Sequence, residues 1–111
     1  MDIAQVRDGD VVIVQLKGRL DSSAAQFAEI RLSGALLDHP PRLALDMSEL
    51  DYISSAGLRA LLVLAKKVQQ ANGKVVLFGL VPNVREVFAV SGFDTIFSIQ
   101  PDPASAVAAV R

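Results

Sequence analysis

Strand-like and helix-like segments alternate along this chain of 111 residues, and this alternation limits the folds that it can adopt. Short apolar runs rich in β-branched residues indicate strands. Longer segments with an apolar face, bounded by capping residues, glycine or proline, indicate helices. The strands are predicted at residues 3–6, 11–16, 43–47, 74–78 and 96–99, and the helices at residues 22 or 23 to 37, 55–71, 82–90 and 104–110.

The order of these elements predicts an α/β domain with a mostly parallel sheet of about five strands and four helices. Asp8-Gly9 is a hairpin signal, so the first two strands should form an antiparallel N-terminal edge. Gly18 is expected to end the second strand, and Asp21 is expected to cap the first helix. No repeat or linker interrupts the pattern, so residues 1–111 should form a single domain.

The composition is that of a protein that can fold without disulfides or a structural metal. Hydrophobic residues make up 51% of the chain, the net charge is −1, and cysteine is absent, which excludes thiol catalysis and disulfides. The lysines and arginines are scattered and form no basic stripe for nucleic acid. The chain has neither a signal-peptide pattern nor an apolar run long enough to cross a bilayer. We therefore expect a cytoplasmic protein that neither binds nucleic acid nor inserts into a membrane.

The segment with the strongest candidate for a functional site is residues 45–58, which read LDMSELDYISSAGL. A polar turn is predicted after the strand at residues 43–47, and Ser54 and Ser55 then open the longest helix. The first N–H groups of a helix are unpaired and favour negative charge. A serine at this position can cap the helix, or it can carry a phosphate that the helix end tolerates.

Helical spacing places Ser55, Arg59 and Val63 on one ridge, because they stand four residues apart. The opposite side of the same helix carries the leucines expected in the core, so the ridge should face water. One interpretation is that an exposed valine has no special meaning, since single exposed apolar residues are common. The other is a partner-binding ridge with a modifiable serine at its end.

The sequence motifs give little support for a catalytic site or a metal site. Ser55-Ala56-Gly57 lacks the first glycine of a nucleophile elbow, and the only histidine, His39, lies in a proline-bounded loop. No phosphate-binding glycine motif is present. Asp46, Glu49 and Asp51 are suited to magnesium, but acidic residues in such a turn more often cap a helix and aid solubility. We therefore expect no catalytic residue, cofactor or metal.

Three motifs, in order, resemble the STAS domain, specifically the bacterial anti-sigma factor antagonists. They are Gly18-Arg19-Leu20-Asp21, Leu45-Asp46-Met47-Ser48 and Ile53-Ser54-Ser55-Ala56-Gly57-Leu58. The resemblance spans nearly the whole chain and implies a STAS-like fold. It also implies a switch without catalysis: the unphosphorylated domain binds an anti-sigma factor serine kinase and releases a sigma factor. Phosphorylation ends the binding, and a serine phosphatase restores it.

Alignment on Gly57-Leu58 implies that Ser55 is the phosphorylated residue. Many family members have aspartate where this chain has Ser54, so Ser54 stays an alternative acceptor. A non-phosphorylated STAS scaffold or sensory module is the alternative function, and a nucleotide sensor is a third. We expect a monomer or a weak dimer. The residues expected to bind the partner are Asp21, Asp46, Ser48, Ser54, Ser55, Gly57, Arg59 and Val63.

Overall fold

The computed structural model describes residues 1–111 as a five-stranded sheet with four α-helices. The strands lie in the order in which they occur along the chain. The elements are β1 (Asp2–Asp8), β2 (Val11–Leu20), α1 (Ala25–Ser33), β3 (Arg42–Ile53), α2 (Ser55–Gln70), β4 (Lys74–Phe78), α3 (Pro82–Ser91), a 3-10 turn (Phe93–Thr95), β5 (Ser98–Gln100) and α4 (Pro103–Val110).

The predicted topology is confirmed. β1 and β2 pair antiparallel around a tight turn in which Gly9 has a φ of 63°. The other neighbouring strands pair parallel, with a helix between each pair in sequence. The single α/β domain with an antiparallel edge therefore follows from the alternation of strands and helices along the chain.

Two strands are longer than predicted. Gly18 does not end β2, which continues to Leu20. Gly18 has a φ of 108°, and the register between β2 and β3 shifts directly after it. β3 likewise continues to Ile53. The segment predicted as a polar turn is strand, because pairing with the extension of β2 supplies its backbone hydrogen bonds. Two of these pairs are Lys17 with Glu49 and Leu20 with Ile53.

Helix α1 is shorter than predicted at both ends. It begins at Ala25, and its N-cap residue, Ala24, makes no side-chain hydrogen bond. Asp21 therefore does not cap α1; its carboxylate instead closes the turn before the helix. The helix ends at Ser33, where Gly34 follows, rather than at Leu37. The last strand also starts later than predicted, because the chain forms a 3-10 turn before it.

The two faces of the sheet are covered differently. Helices α1, α2 and α3 bury the larger apolar cluster on one face, and α4 buries a smaller cluster on the other. Phe88 of α3 is fully buried, and its ring lies edge-on to those of Phe93 and Phe97. No helix has the length and apolar character needed to cross a membrane.

Candidate functional site

The junction between β3 and α2 is held by the hydroxyl of Ser54. This residue is the N-cap of α2, and its Oγ accepts a hydrogen bond from the N–H of Gly57 at 3.1 Å. The same hydroxyl donates to the carbonyl of Leu20 at 3.2 Å, and the Ser54 N–H donates to that carbonyl at 2.9 Å. The Ser54 hydroxyl is thus used to join the start of α2 to the end of β2.

Replacing Ser54 with alanine is expected to destabilise the protein by about 0.5–2 kcal/mol, because the helix loses its cap and the Gly57 N–H loses its partner. Urea denaturation followed by circular dichroism measures the change. Ser55→Ala is the matched control and should change stability by less than about 0.5 kcal/mol, since alanine suits an exposed helical position. Equal losses in the two variants would contradict this assignment of the cap.

Ser55 is the first residue of α2, and its side chain is exposed. It lies at the edge of a groove of about 460 Å³ between α2 and α3. Leu58, Val87 and Val90 supply the apolar part of this groove, and Val90 is 83% exposed. The hydroxyl therefore stands at a helix N-terminus, where an added anion is stabilised, and beside an accessible apolar surface.

Gly57 is buried directly beneath this helix start. A Cβ atom at this position would lie 2.6 Å from the carbonyl oxygen of Leu20 and 2.7 Å from its Cγ. The missing side chain thus allows α2 to approach the end of β2, where the Leu20 carbonyl receives Ser54. Gly57 has no side chain to offer a partner, so its effect on the site is through packing.

The predicted ridge along α2 is only partly exposed. Arg59 is exposed one turn after Ser55, as expected, but Val63 is partly buried. The expectation that Val63 faces water is corrected, because the buried arc of the helix is wide enough to reach it. The accessible part of the ridge is therefore its N-terminal half.

Asp46 and Ser48 form a local pair in β3, on the strand that leads to the site. The Asp46 carboxylate accepts hydrogen bonds from the Ser48 hydroxyl at 2.6 Å and from the Ser48 N–H at 3.0 Å. Ser48 also lies close to Gly79, where a Cβ atom would approach the Ser48 Cβ to 3.2 Å. Gly79 has a φ of 75°, so this close approach depends on glycine.

Asp21 follows Leu20, whose carbonyl anchors the start of α2. The hydrogen bond from the Ser23 hydroxyl at 2.7 Å, and a second from the Ala24 N–H at 3.0 Å, lower the pKa of Asp21. Both donors favour the ionised form. Asp21 is therefore a carboxylate at neutral pH, held in a fixed turn beside the site.

Two neighbouring contacts were not predicted from the sequence. The Arg19 guanidinium lies 4.3 Å from the centre of the Tyr52 ring, on paired residues of β2 and β3. The Asn83 side chain donates to the carbonyl of Asp51 at 2.6 Å and so ties the start of α3 to the end of β3. Both contacts join residues more than thirty positions apart, whereas helical and strand periodicity relates only residues a few positions apart.

Comparison with known proteins identifies the family. The family model of the STAS domain matches residues 2–106. The chain is 42% identical over 101 residues to a putative anti-sigma factor antagonist, BtrV, of Bordetella bronchiseptica; the match covers 91% of this chain and 87% of that protein.

Solved structures show the same fold. An anti-sigma factor antagonist from Mycobacterium paratuberculosis matches with a TM-score of 0.88 and 25% identity, over 99% of this chain and 93% of that one. The phosphorylated form of the Bacillus cell fate determinant SpoIIAA matches with a TM-score of 0.71 and 20% identity, over 99% of this chain and 100% of that one. The protein described here belongs to the STAS domain family.

Proposed function

We propose that this chain is an anti-sigma factor antagonist whose partner-binding surface surrounds Ser55. Relatives named as anti-sigma factor antagonists support the class of function. The single observation that carries the proposal is that the two adjacent serines have different environments. The Ser54 hydroxyl is engaged in the helix cap, whereas Ser55 is exposed at the first residue of α2. Unphosphorylated, this surface binds an anti-sigma factor serine kinase, which then releases its sigma factor.

Phosphorylation of Ser55 ends the binding. The kinase transfers the terminal phosphoryl group of ATP to the Ser55 Oγ, ADP leaves, and the hydroxyl proton passes to a base of the kinase. The product carries about −1.5 to −2 charges at neutral pH. The N-terminus of α2 stabilises this anion, and Arg59, one turn further on, is placed to pair with it. A serine phosphatase hydrolyses the ester and restores the binding surface.

The other residues of the site take supporting or contact roles. Asp46 and Ser48 lie on β3, which leads to the start of α2, and Asp21 lies in the turn that follows β2. We assign these three residues to partner contact or to support of the loop. Arg59 contributes an exposed cation to the surface. Because Val63 is partly buried, we expect it to contribute less to binding than Arg59.

Incubation with the cognate kinase and ATP, followed by mass spectrometric mapping, tests the proposal. Wild-type protein is expected to gain one phosphate, located on Ser55. Ser55→Ala should gain none, and Ser54→Ala should still be modified on Ser55 because it keeps the exposed hydroxyl. A phosphate on Ser54 instead would contradict the assignment of Ser55 as the phosphorylated residue. No phosphate on any variant would favour the scaffold function instead.

A further inference from the structure

Strand β3 contains two extra residues in the segment that leads to α2. Its buried side chains there, Met47, Leu50 and Ile53, stand three residues apart, whereas the side chains of a regular strand return to the same face at every second residue. The pairing with β2 accommodates this spacing, since its register shifts in two places: Gly18 pairs with Leu50, and Leu20 pairs with Ile53. Each shift is a β-bulge, in which one residue of β3 has no partner on β2.

The extra residue of the second bulge is Asp51. Leu50 and Tyr52 pair with consecutive residues of β2, so Asp51, which lies between them, has no partner on that strand. Strand β4 does not reach this point either, because its pairing with β3 ends at Asp46. The Asp51 carbonyl instead accepts a hydrogen bond from the Asn83 side chain at 2.6 Å. Asn83, in the first turn of α3, therefore supplies the hydrogen bond that a neighbouring strand would otherwise give.

The second bulge decides which residue reaches the Leu20 carbonyl. Ile53 pairs with Leu20, and the next residue, Ser54, donates to the Leu20 carbonyl from both its N–H and its hydroxyl and caps α2. If Asp51 were drawn into regular pairing, every later residue of β3 would move one place along β2. Ile53 would then stand at the cap position, where its side chain has no oxygen to accept an N–H. Ser54 would become the first residue of the helix and lose its role as the cap.

We propose that Asn83 is a positioning residue for the phosphorylated serine. By holding the Asp51 carbonyl, it keeps Ser54 in the helix cap and Ser55 at the exposed first position of α2. Asn83 and Ser55 line the same groove between α2 and α3, so the residue that fixes the register lies on the surface that carries the acceptor. The choice of Ser55 as acceptor rests on the proposed function, whereas the effect of Asn83 on the cap does not.

Amide hydrogen exchange of Gly57, followed by NMR, tests the positioning role on the protein alone. The Gly57 N–H donates to the Ser54 Oγ, so its exchange rate reports whether the cap is formed. Asn83→Ala is expected to speed this exchange at least about fivefold, because a loosened bulge releases Ser54 from the cap. Gln70→Ala is the matched control, since it also removes an exposed amide side chain but at the far end of α2. Unchanged Gly57 exchange in Asn83→Ala would overturn the proposal.

Asn83→Asp separates the positioning role from a purely structural role in α3. Aspartate has nearly the same shape but no N–H to donate, and its negative charge suits the first turn of a helix. If Asn83 served only to begin α3, Asn83→Asp would leave Gly57 exchange at the wild-type rate, and this result would overturn the proposal. We expect exchange at least as fast as in Asn83→Ala, because the new carboxylate and the Asp51 carbonyl are both acceptors. Circular dichroism checks that each variant is folded.

Deletion of Asp51 supplies a rescue. Without this residue, the buried Leu50, the exposed Tyr52 and the buried Ile53 alternate regularly, and the strand needs no second bulge. The deletion variant should therefore keep the Gly57 N–H protected, and adding Asn83→Ala to it should change the exchange rate by less than about twofold. An effect of Asn83→Ala that is as large with the deletion as without it would mean that Asn83 acts elsewhere, which would overturn the proposal.

Phosphorylation by the cognate kinase tests the choice of acceptor. The wild type is expected to carry phosphate on Ser55 alone, whereas Asn83→Ala should carry part of it on Ser54, whose hydroxyl leaves the cap. Phosphate confined to Ser55 in Asn83→Ala, despite faster Gly57 exchange, would overturn the role of Asn83 in selecting the acceptor. A wild type that gains no phosphate would contradict the proposed function instead, and the exchange rates would still decide whether Asn83 positions the cap.

Discussion

Ser55→Asp is expected to keep the fold and to weaken binding of the anti-sigma factor by about 30- to 4,000-fold. The range corresponds to the ~2–5 kcal/mol lost when a charge is left unpaired in an interface. The fold should persist because Ser55 is exposed at the first residue of α2, where a carboxylate interacts favourably with the helix N-terminus. Phosphorylated Ser55 should behave in the same way, since it places a larger charge at the same point.

Isothermal titration calorimetry with the purified anti-sigma factor measures this effect. Ser55→Ala should bind nearly as well as the wild type, because it adds neither charge nor bulk. Ser98→Asp is the control for an added carboxylate: Ser98 is also exposed, but it lies on β5 at the far edge of the sheet. Loss of the circular dichroism signal in Ser55→Asp, or affinity within about twofold of the wild type, would contradict an electrostatic switch at an unchanged surface.

Local signals predicted the order of the elements and most of the helix starts. Pro82 begins α3, and Asp102 caps α4 through the Ser105 N–H, as the sequence patterns indicate. The lengths of β2 and β3 were underestimated because the residues that extend them are mostly polar and do not alternate regularly with apolar ones. Those residues become strand only when Gly18 and Leu50 pair across the sheet, and such a pairing has no signature in either segment alone.

The site could be predicted in outline but not in detail. Adjacent serines before a leucine-rich helix indicate a cap and an anion site, but they do not show which hydroxyl caps the helix and which one stays exposed. The choice depends on the carbonyl of Leu20, which lies more than thirty residues away and engages Ser54. The burial of Gly57 has the same origin, because the two atoms that would lie nearest to its Cβ also belong to Leu20.

Phe88→Ala is expected to lower the free energy of unfolding by about 3–5 kcal/mol, a large share of the ~5–15 kcal/mol that stabilises a typical domain. Phe88 is fully buried, and its ring centre lies 5.9 Å from that of Phe97 and 6.5 Å from that of Phe93. Removing the ring leaves a cavity and ends both edge-to-face contacts.

Urea denaturation should show this loss as a lower midpoint with an unchanged slope, because the folded state stays compact. Val90→Ala is the matched control two residues further along α3: its side chain is 83% exposed, so its truncation should change stability by less than about 0.5 kcal/mol. Phe88→Leu should fall between the two variants, since leucine fills part of the cavity. A loss below about 1 kcal/mol in Phe88→Ala would mean that the three phenylalanine rings do not form the close-packed anchor that holds α3 on the sheet.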